Sequence, residues 1–231
     1  GGTPGLDINF SFNKVESAHN FLNKVWNASR YILSILPDDF QPRKLEEKEL
    51  SYLDQWIYSE FDRLISNVRL NMDKYELGQA ADYIYSFVYD EFCSDYLEYT
   101  KVTFGGDDEK AKEVTLQVLY DILKKVLVTL FPFAPFITEE IYGKLPCSKK
   151  SVYEEDYPSQ TGFVYDEEMI GLAKSLMEAV KVIRNHKSEL SMAPNAPIKL
   201  KFMGSDVALL KVSPYLKRFS FADSITKIED K

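Results

Sequence analysis

The strongest constraint on the fold of this chain is a set of apolar residues that recur every three or four positions between residues 50 and 72. The set consists of Leu50, Leu53, Ile57, Phe61, Leu64, Val68 and Met72. This spacing places every member on one face of an α-helix, whereas a half-buried strand would show strict alternation. We therefore predict a long amphipathic helix here. Off its apolar stripe lie the polar residues Asp54, Glu60, Asp62, Arg63 and Arg69.

The same periodicity predicts three more helices, at about 11–36, 77–99 and 109–130. Long helices joined by short links pack antiparallel, so these segments predict an up-down antiparallel helix bundle. Pro132 and Pro135 follow the last helix. Because proline is not tolerated in a helix interior, we expect the chain to turn there and to begin a short new helix at Pro135.

The last third of the chain mixes short alternating runs with helical ones. The pattern predicts strands near 151–154, 198–203 and 224–228, and helices near 167–192 and 206–220. We therefore expect a mainly α protein in two parts. The helix bundle would span residues 1–148, and a small α/β subdomain at the C-terminal end would span residues 149–231.

The composition narrows the class of protein. A chain of 231 residues with 45% hydrophobic and 14% aromatic residues has enough apolar surface for a core, which argues against disorder. No apolar run reaches the roughly 18 to 20 residues of a membrane span, and G-G-T-P-G-L-D at the start does not have the features of a signal peptide. Cys93 and Cys147 have no metal-ligand spacing, so we expect two thiols in a reducing cytoplasm.

The formal net charge of −8 would by itself disfavour a nucleic-acid partner, but the charges are unevenly distributed. Residues 37–100 hold six Lys or Arg against fifteen Asp or Glu, whereas residues 170–231 hold eleven against six. Since nucleic-acid binding depends on where the charges lie rather than on their sum, an RNA partner stays open. The alternative is that the asymmetry arose by chance.

One face of the first predicted helix carries an unusual polar set. In N-K-V-W-N-A-S-R-Y, residues 23–31, Lys24, Asn27, Arg30 and Tyr31 are three and four positions apart, with no carboxylate between them. Cations, amides and aromatic rings are the groups that bind single-stranded nucleic acid. A solvated helix face is the alternative interpretation. The opposite face is mostly apolar and contains Leu22, Val25, Trp26, Ser29, Ile32, Leu33 and Leu36.

The sequence contains no recognisable catalytic constellation. His19 and His186 have no arrangement of Cys, Asp or Glu suited to a metal ion. The glycine-rich phosphate-binding patterns and the G-x-S-x-G elbow are absent. Glu139 and Glu140 are adjacent, so on a helix they point about 100° apart and suit a helix N-terminus better than acid–base chemistry. We therefore expect no catalytic residue, metal site or cofactor in this chain.

Six motifs follow one another along nearly the whole chain: G-L-D-I-N-F, N-K-V-W-N-A-S-R-Y, L-D-Q-W-I, D-E-F-C-S-D-Y-L-E, P-F-A-P-F-I-T-E-E-I-Y and V-I-R-N-H-K-S-E-L-S-M-A-P. In this order they resemble the anticodon-binding domain of class I aminoacyl-tRNA synthetases, and most of all that of the valyl-type enzymes. Two places depart from the family pattern. Phe131 stands where His is usual, and Lys187 and Leu190 interrupt the I-R-x-x-R-x-E-M pattern of the late helix.

The resemblance implies the class Ia anticodon-binding fold and a role for the polar face. In the family, a K-x-x-N-x-x-R-[FY] face lies near the anticodon. By this resemblance, Lys24 and Arg30 would hold phosphates or base edges, Asn27 would read a base with its amide, and Tyr31 would stack on one. We also expect a basic surface on the late helix to contact the tRNA backbone, and a solvated face is the alternative interpretation. Lys181 and Arg184 are its predicted contacts, and Lys174, Lys199 and Lys201 lie on the same surface.

The resemblance further implies a parent enzyme that ligates valine to tRNA(Val). The H-I-G-H and K-M-S-K-S signatures, which hold ATP in the catalytic domain of such enzymes, are absent here, so we expect an excised domain without ATP of its own. Its expected partners are tRNA(Val) and the catalytic and editing domains of the same polypeptide. A monomer in the cytoplasm is expected. Two alternatives are the corresponding domain of an isoleucyl or other class Ia synthetase, and a helical protein–protein scaffold.

Overall fold

The computed structural model describes residues 11–228. Its longer helices are α1 (Phe12–Ile35), α2 (Tyr52–Asp73), α5 (Glu109–Leu130), α7 (Glu167–Glu189) and α8 (Asp206–Ser220). The shorter ones are α3 (Leu77–Ser86), α4 (Leu97–Phe104) and α6 (Pro135–Tyr142), with a π-helical segment at Phe87–Tyr96 and 3₁₀ turns at Glu47–Glu49 and Val152–Glu154. The strands are β1 (Ile198–Phe202) and β2 (Ala222–Lys227). The G-L-D-I-N-F motif, at residues 5–10, lies outside the described residues.

The mainly helical fold is confirmed. Helices α1, α2, α5, α7 and α8 occupy the segments that the periodicity predicts, and α6 begins at Pro135. Helix α2 lies at the centre, where it packs against α3, the π segment, α5 and α7. The buried apolar residues of the helices form one cluster that extends from Phe21 in α1 to Phe219 in α8. This cluster contains residues from both sides of residue 148. The division into two domains at that residue stays a prediction.

The predicted third helix is longer and less regular than expected. It continues without a break from α3 through the π segment into α4, and it ends at Gly105. The wider π turn brings the Ser94 hydroxyl within 2.7 Å of the carbonyl oxygen of Tyr89, five residues earlier, to which it donates a hydrogen bond. Helical periodicity in a sequence does not separate this wider turn from an ordinary α-turn, since both bury one apolar face.

The predicted strand near 151–154 is wrong, because this segment forms a 3₁₀ turn. Glu139, on α6, accepts hydrogen bonds from the hydroxyl of Ser151 and from the backbone N–H of Val152, both at 3.1 Å. The Ser151 hydroxyl in turn accepts from the N–H of Tyr153. Side chains therefore satisfy the backbone donors that a neighbouring strand would have paired, and among the described residues only β1 and β2 form a sheet.

Strands β1 and β2 pair in parallel, with α8 as the connection between them. Alternate residues of β1 are half-buried, while Lys199 and Lys201 point outward as the alternation predicts. Helix α7 packs on α2, and α8 packs on α7 and α4, so the small sheet is held against the end of the bundle through helices.

A buried lysine fixes the end of α7 to this sheet. Lys187 is only 4% exposed, and its ammonium group donates to the carbonyl oxygens of Ala196 at 2.6 Å, Ser220 at 2.9 Å and Pro194 at 3.2 Å. These carbonyls belong to the loop before β1 and to the end of α8. One side chain therefore joins three segments, and the family departure noted at this position has a structural role.

Two acidic side chains of α2 tie this helix to its neighbours, although the sequence places them off the apolar stripe. Asp54 forms a reciprocal capping box with Ser51 and accepts a hydrogen bond from the hydroxyl of Tyr96 in the π segment. Asp62 accepts from the N–H of Thr161 at 2.7 Å and from the hydroxyl of Tyr165 at 2.6 Å. Both carboxylates are buried, and burial raises the pKa of Asp54.

Replacing the buried lysine tests its structural role. We expect Lys187→Met to destabilise the C-terminal part by about 1–3 kcal/mol, because three carbonyl oxygens lose the donor of a buried lysine. Amide hydrogen exchange of the full chain should show faster exchange in β1 and β2 and little change in α5.

Lys181→Met is the matched control, since Lys181 is an exposed lysine on the same helix. Its effect should stay within about 0.5 kcal/mol. Equal exchange rates in the two variants would show that the three carbonyl contacts of Lys187 contribute nothing to stability.

Candidate nucleic-acid interface

The candidate interface is the outer side of α1. Its inner side packs on the π segment, α5 and α6, and it buries Phe21, Val25, Ala28, Ser29 and Ile32. The outer side presents a stripe of exposed polar residues, which we call the α1 stripe: Asn23, Asn27, Arg30 and Ser34. No Asp or Glu occurs in α1 after Glu16, so the stripe contains no carboxylate. The predicted polar face is therefore present, with a somewhat different membership.

Of the four residues predicted on α1, Asn27 and Arg30 have exposed polar groups that can bind a ligand. Both are exposed, and within residues 11–228 neither forms a hydrogen bond or an ion pair. An amide offers both donors and acceptors, and a guanidinium offers several donors in a planar fork. The stripe can therefore form hydrogen bonds with a base edge or a phosphate without first breaking a contact within the protein.

Lys24 is positioned differently from the sequence expectation. Its side chain is half-buried, its ammonium group donates to the Ser94 hydroxyl, and the same nitrogen lies 3.4 Å from the centre of the Tyr89 ring. The Tyr89 ring stacks in turn on Tyr85, at 5.3 Å between centres. Lys24 thus joins α1 to the π segment, and binding to a phosphate would require it to leave this position.

Two aromatic residues of α1 lie at the edges of the stripe. Tyr31 is half-buried, and the ammonium nitrogen of Lys101 lies 5.5 Å from its ring centre. Trp26 is also half-buried, and the ammonium nitrogen of Lys144 lies 5.5 Å from its ring centre. The expectation that Trp26 belongs to the buried face is wrong in part, because its ring lies at the border between α1 and the chain after α6.

Lys181 and Arg184 lie on α7, away from the α1 stripe. They line a cleft of about 470 Å³ between α7, α2 and the π segment. Acidic residues line the same cleft, namely Glu60, Glu91, Asp95 and Glu178. Lys174 already pairs with Glu60 at 3.1 Å. The two predicted cations are exposed, but a phosphate that approached them would also meet carboxylates.

Two acids of this cleft, Glu91 and Asp95, have raised pKa values. Burial, reinforced by the nearby charge of Glu60, raises the pKa of Glu91 to about 7, although Arg63 pairs with it at 2.8 Å. Burial and the charge of Asp90 raise the pKa of Asp95. Among residues 11–228 no group of His, Cys, Asp and Glu side chains is arranged to hold a metal ion. Glu91 pairs with Arg63, and Glu60 pairs with Lys174.

The residues that sequence reasoning missed are those that surround α1 from other elements. Tyr89, Ser94, Lys101 and Lys144 come from the π segment, α4 and the turn after α6. Their own local patterns mark them only as parts of helices. No single-sequence signal brings them to α1, because the packing of separate helices decides that proximity.

Comparison with protein families gives one match. The model of the family described as "Anticodon-binding domain of tRNA ligase" matches residues 54–202. This match extends from Asp54, near the start of α2, to the end of β1, so the α1 stripe lies outside it. None of the helices described is both long and apolar enough to cross a lipid bilayer.

Curated relatives cover α1 as well. Valine–tRNA ligase of Clostridium perfringens is 36% identical over 234 residues, which is 100% of this chain and 27% of the relative. That of Bacillus thuringiensis subsp. konkukian is 35% identical over 98% of this chain and 26% of the relative. That of Carboxydothermus hydrogenoformans is 39% identical over 84% of this chain and 22% of the relative. The chain thus spans about a quarter of the length of the curated relatives it matches.

The raised pKa of Glu91 predicts a pH-dependent stability. The folded state raises the pKa from 4.5 to about 7, so it retains a proton that the unfolded state releases. This contribution to stability is complete below about pH 4.5 and is lost as the pH rises through about 7. Glu91→Gln is neutral at every pH. In thermal melts it should therefore raise Tm relative to the original chain at about pH 8 and change it less at about pH 5.

Glu178→Gln is the control, because this exposed residue lines the same cleft. It should shift Tm by a similar small amount at both pH values. If Glu91→Gln instead lowers Tm equally at both, the ion pair with Arg63 outweighs the burial of the carboxyl.

Proposed function

This chain belongs to the family of anticodon-binding domains of tRNA ligases, and we propose that it binds the anticodon loop of tRNA(Val) through the α1 stripe. The observation that carries the proposal is the combination of Asn27 and Arg30, which are exposed and unpaired within residues 11–228, on a helix face without carboxylates. In an acidic chain, such a face is where RNA meets the least electrostatic repulsion.

The chemistry of the stripe suits unpaired bases. Single-stranded loops expose the Watson–Crick edges of their bases, which amide side chains can read, and arginine can bind a phosphate or a base edge. The partly exposed ring of Tyr31 offers a surface for stacking. We assign base reading to Asn27 and Arg30, stacking to Tyr31, and support of the helix to Lys24, since its ammonium group already contacts Ser94.

Lys181 and Arg184 are proposed as a weaker contact that does not depend on sequence. Both are exposed, but carboxylates line the same cleft and would compete with phosphates for these cations. We therefore expect them to contribute less than the α1 stripe.

The proposal extends to a parent protein, because this chain spans about a quarter of its relatives. We propose that the catalytic and editing domains lie elsewhere in the same polypeptide, that ATP is bound there, and that the parent is a cytoplasmic monomer. The two cysteines of this chain are free thiols, which suits a reducing compartment. A helical scaffold is the competing function, and RNA binding that responds to the anticodon separates the two.

Substitution of Asn27 tests base reading. Binding of the full chain to a valine anticodon hairpin, and to a hairpin with a changed middle base, is measured by fluorescence anisotropy. Asn27→Ala should reduce the difference between the two by about 1–3 kcal/mol, because one base contact is lost. Its effect on stability should stay within about 0.5 kcal/mol, since the side chain is exposed.

Ile32→Ala is the contrasting variant, because Ile32 is fully buried on the other side of α1. It should cost about 2–5 kcal/mol of stability and leave the anticodon preference of the folded protein unchanged. Equal binding of the original chain to both hairpins at moderate salt would refute sequence reading.

Substitution of Tyr31 tests stacking. Tyr31→Leu keeps an apolar side chain at this half-buried position but removes the ring, so every hairpin should bind more weakly, by roughly 1–3 kcal/mol per stacked base. Tyr31→Phe keeps the ring and should bind as the original chain does. If both variants bind alike, the ring of Tyr31 does not contact the RNA.

A further inference from the structure

Two lysines from other elements border the α1 stripe on opposite sides. Lys101, on α4, lies over the ring of Tyr31, and Lys144, in the turn after α6, lies over the ring of Trp26, each at 5.5 Å. At 3.6 residues per turn, positions 26 and 31 project to opposite sides of position 27. The stripe is therefore flanked by one cation on its α4 side and one on its α6 side.

The flanking lysines differ from Lys24 in what they can bind. The ammonium group of Lys24 donates to Ser94 and lies directly over Tyr89, in a half-buried position. Lys101 and Lys144 are farther from their rings, and 31% and 48% of their side chains are exposed. An aromatic ring at this distance orients a lysine through a cation–π interaction and still leaves its ammonium donors free for another partner.

Each flanking lysine also pairs with a neighbouring glutamate. Lys101 pairs with Glu98, and Lys144 pairs with Glu140, in both cases within one helical turn. Partly exposed pairs of this kind contribute little to stability, so a phosphate can displace the glutamate at small cost. The ion pair keeps the lysine close to the stripe and compensates its positive charge.

Resting on the function proposed above, we propose that Lys101 and Lys144 hold the sugar-phosphate backbone of the anticodon loop on both sides of α1. The backbone crosses the helix from one lysine to the other, and the bases between them face Asn27 and Arg30. Lys101 and Lys144 are positioning residues. They contribute affinity and register without base preference, since phosphate contacts contain no sequence information.

The salt dependence of binding tests this role. Lys101→Gln and Lys144→Gln should each weaken binding of the full chain several-fold, equally for the valine hairpin and for the hairpin with a changed middle base. Each should also reduce the slope of log affinity against log salt by about 0.7, the value for one phosphate contact to a single strand. A purely structural role would leave that slope unchanged.

Lys112→Gln is the matched control. Lys112 lies on α5, pairs with Glu109 within one helical turn, and has 25% of its side chain exposed, so it shares the local chemistry of the flanking lysines. It belongs to a helix that does not carry the stripe. Its substitution should change neither the affinity nor the slope.

The paired glutamates provide a test in the opposite direction. Glu98→Gln and Glu140→Gln free the flanking lysines, so both should tighten binding several-fold and steepen the salt dependence, while Glu109→Gln should have no effect. If the original chain discriminates between the hairpins but the lysine variants keep its slope, the backbone contact is overturned and the proposed function stands. If the original chain binds neither hairpin, both proposals are overturned.

Discussion

The contacts made by the buried acidic side chains of α2 hold the neighbouring segments in place. Asp54 accepts a hydrogen bond from the hydroxyl of Tyr96, and Asp62 accepts hydrogen bonds from Thr161 and Tyr165. Glu60 forms an ion pair with Lys174. The three acids reach three different parts of the chain: Asp54 the π segment, Asp62 the link before α7, and Glu60 α7 itself. A buried carboxylate is costly without its partner, so each contact restricts its element to one position.

The position of the π segment determines which polar side chains of α1 stay exposed. Tyr96 fixes the segment to α2, and its wider turns place Tyr89 and Ser94 against Lys24. That contact holds one cation of α1 at the edge of the helix. Asn27 and Arg30 are left as the exposed groups, and these are the residues that we propose for RNA binding.

The two basic regions of this acidic chain differ in the acidic residues that surround them. The α1 stripe has no carboxylate of its own, and its flanking lysines pair with Glu98 and Glu140, whose side chains are 44% and 62% exposed. The α7 cations share their cleft with Glu60, Glu91 and Asp95, which are held there by burial and ion pairs. Cations in the two regions therefore differ in how readily they can bind a polyanion, because the acids beside them differ in burial.

The sequence by itself determined the helices, the outward stripe of α1, and the family, because periodicity and motif order are properties of the chain alone. It could not determine the burial of Asp54 and Asp62, the 3₁₀ turn that replaced a predicted strand, or the three carbonyls around Lys187. Nor did it place Lys101 and Lys144 beside α1. Only the tertiary structure decided these, because each depends on a partner from a different helix, loop or turn. The periodicity of a helix shows which of its residues share a face, but not which other segment packs against that face.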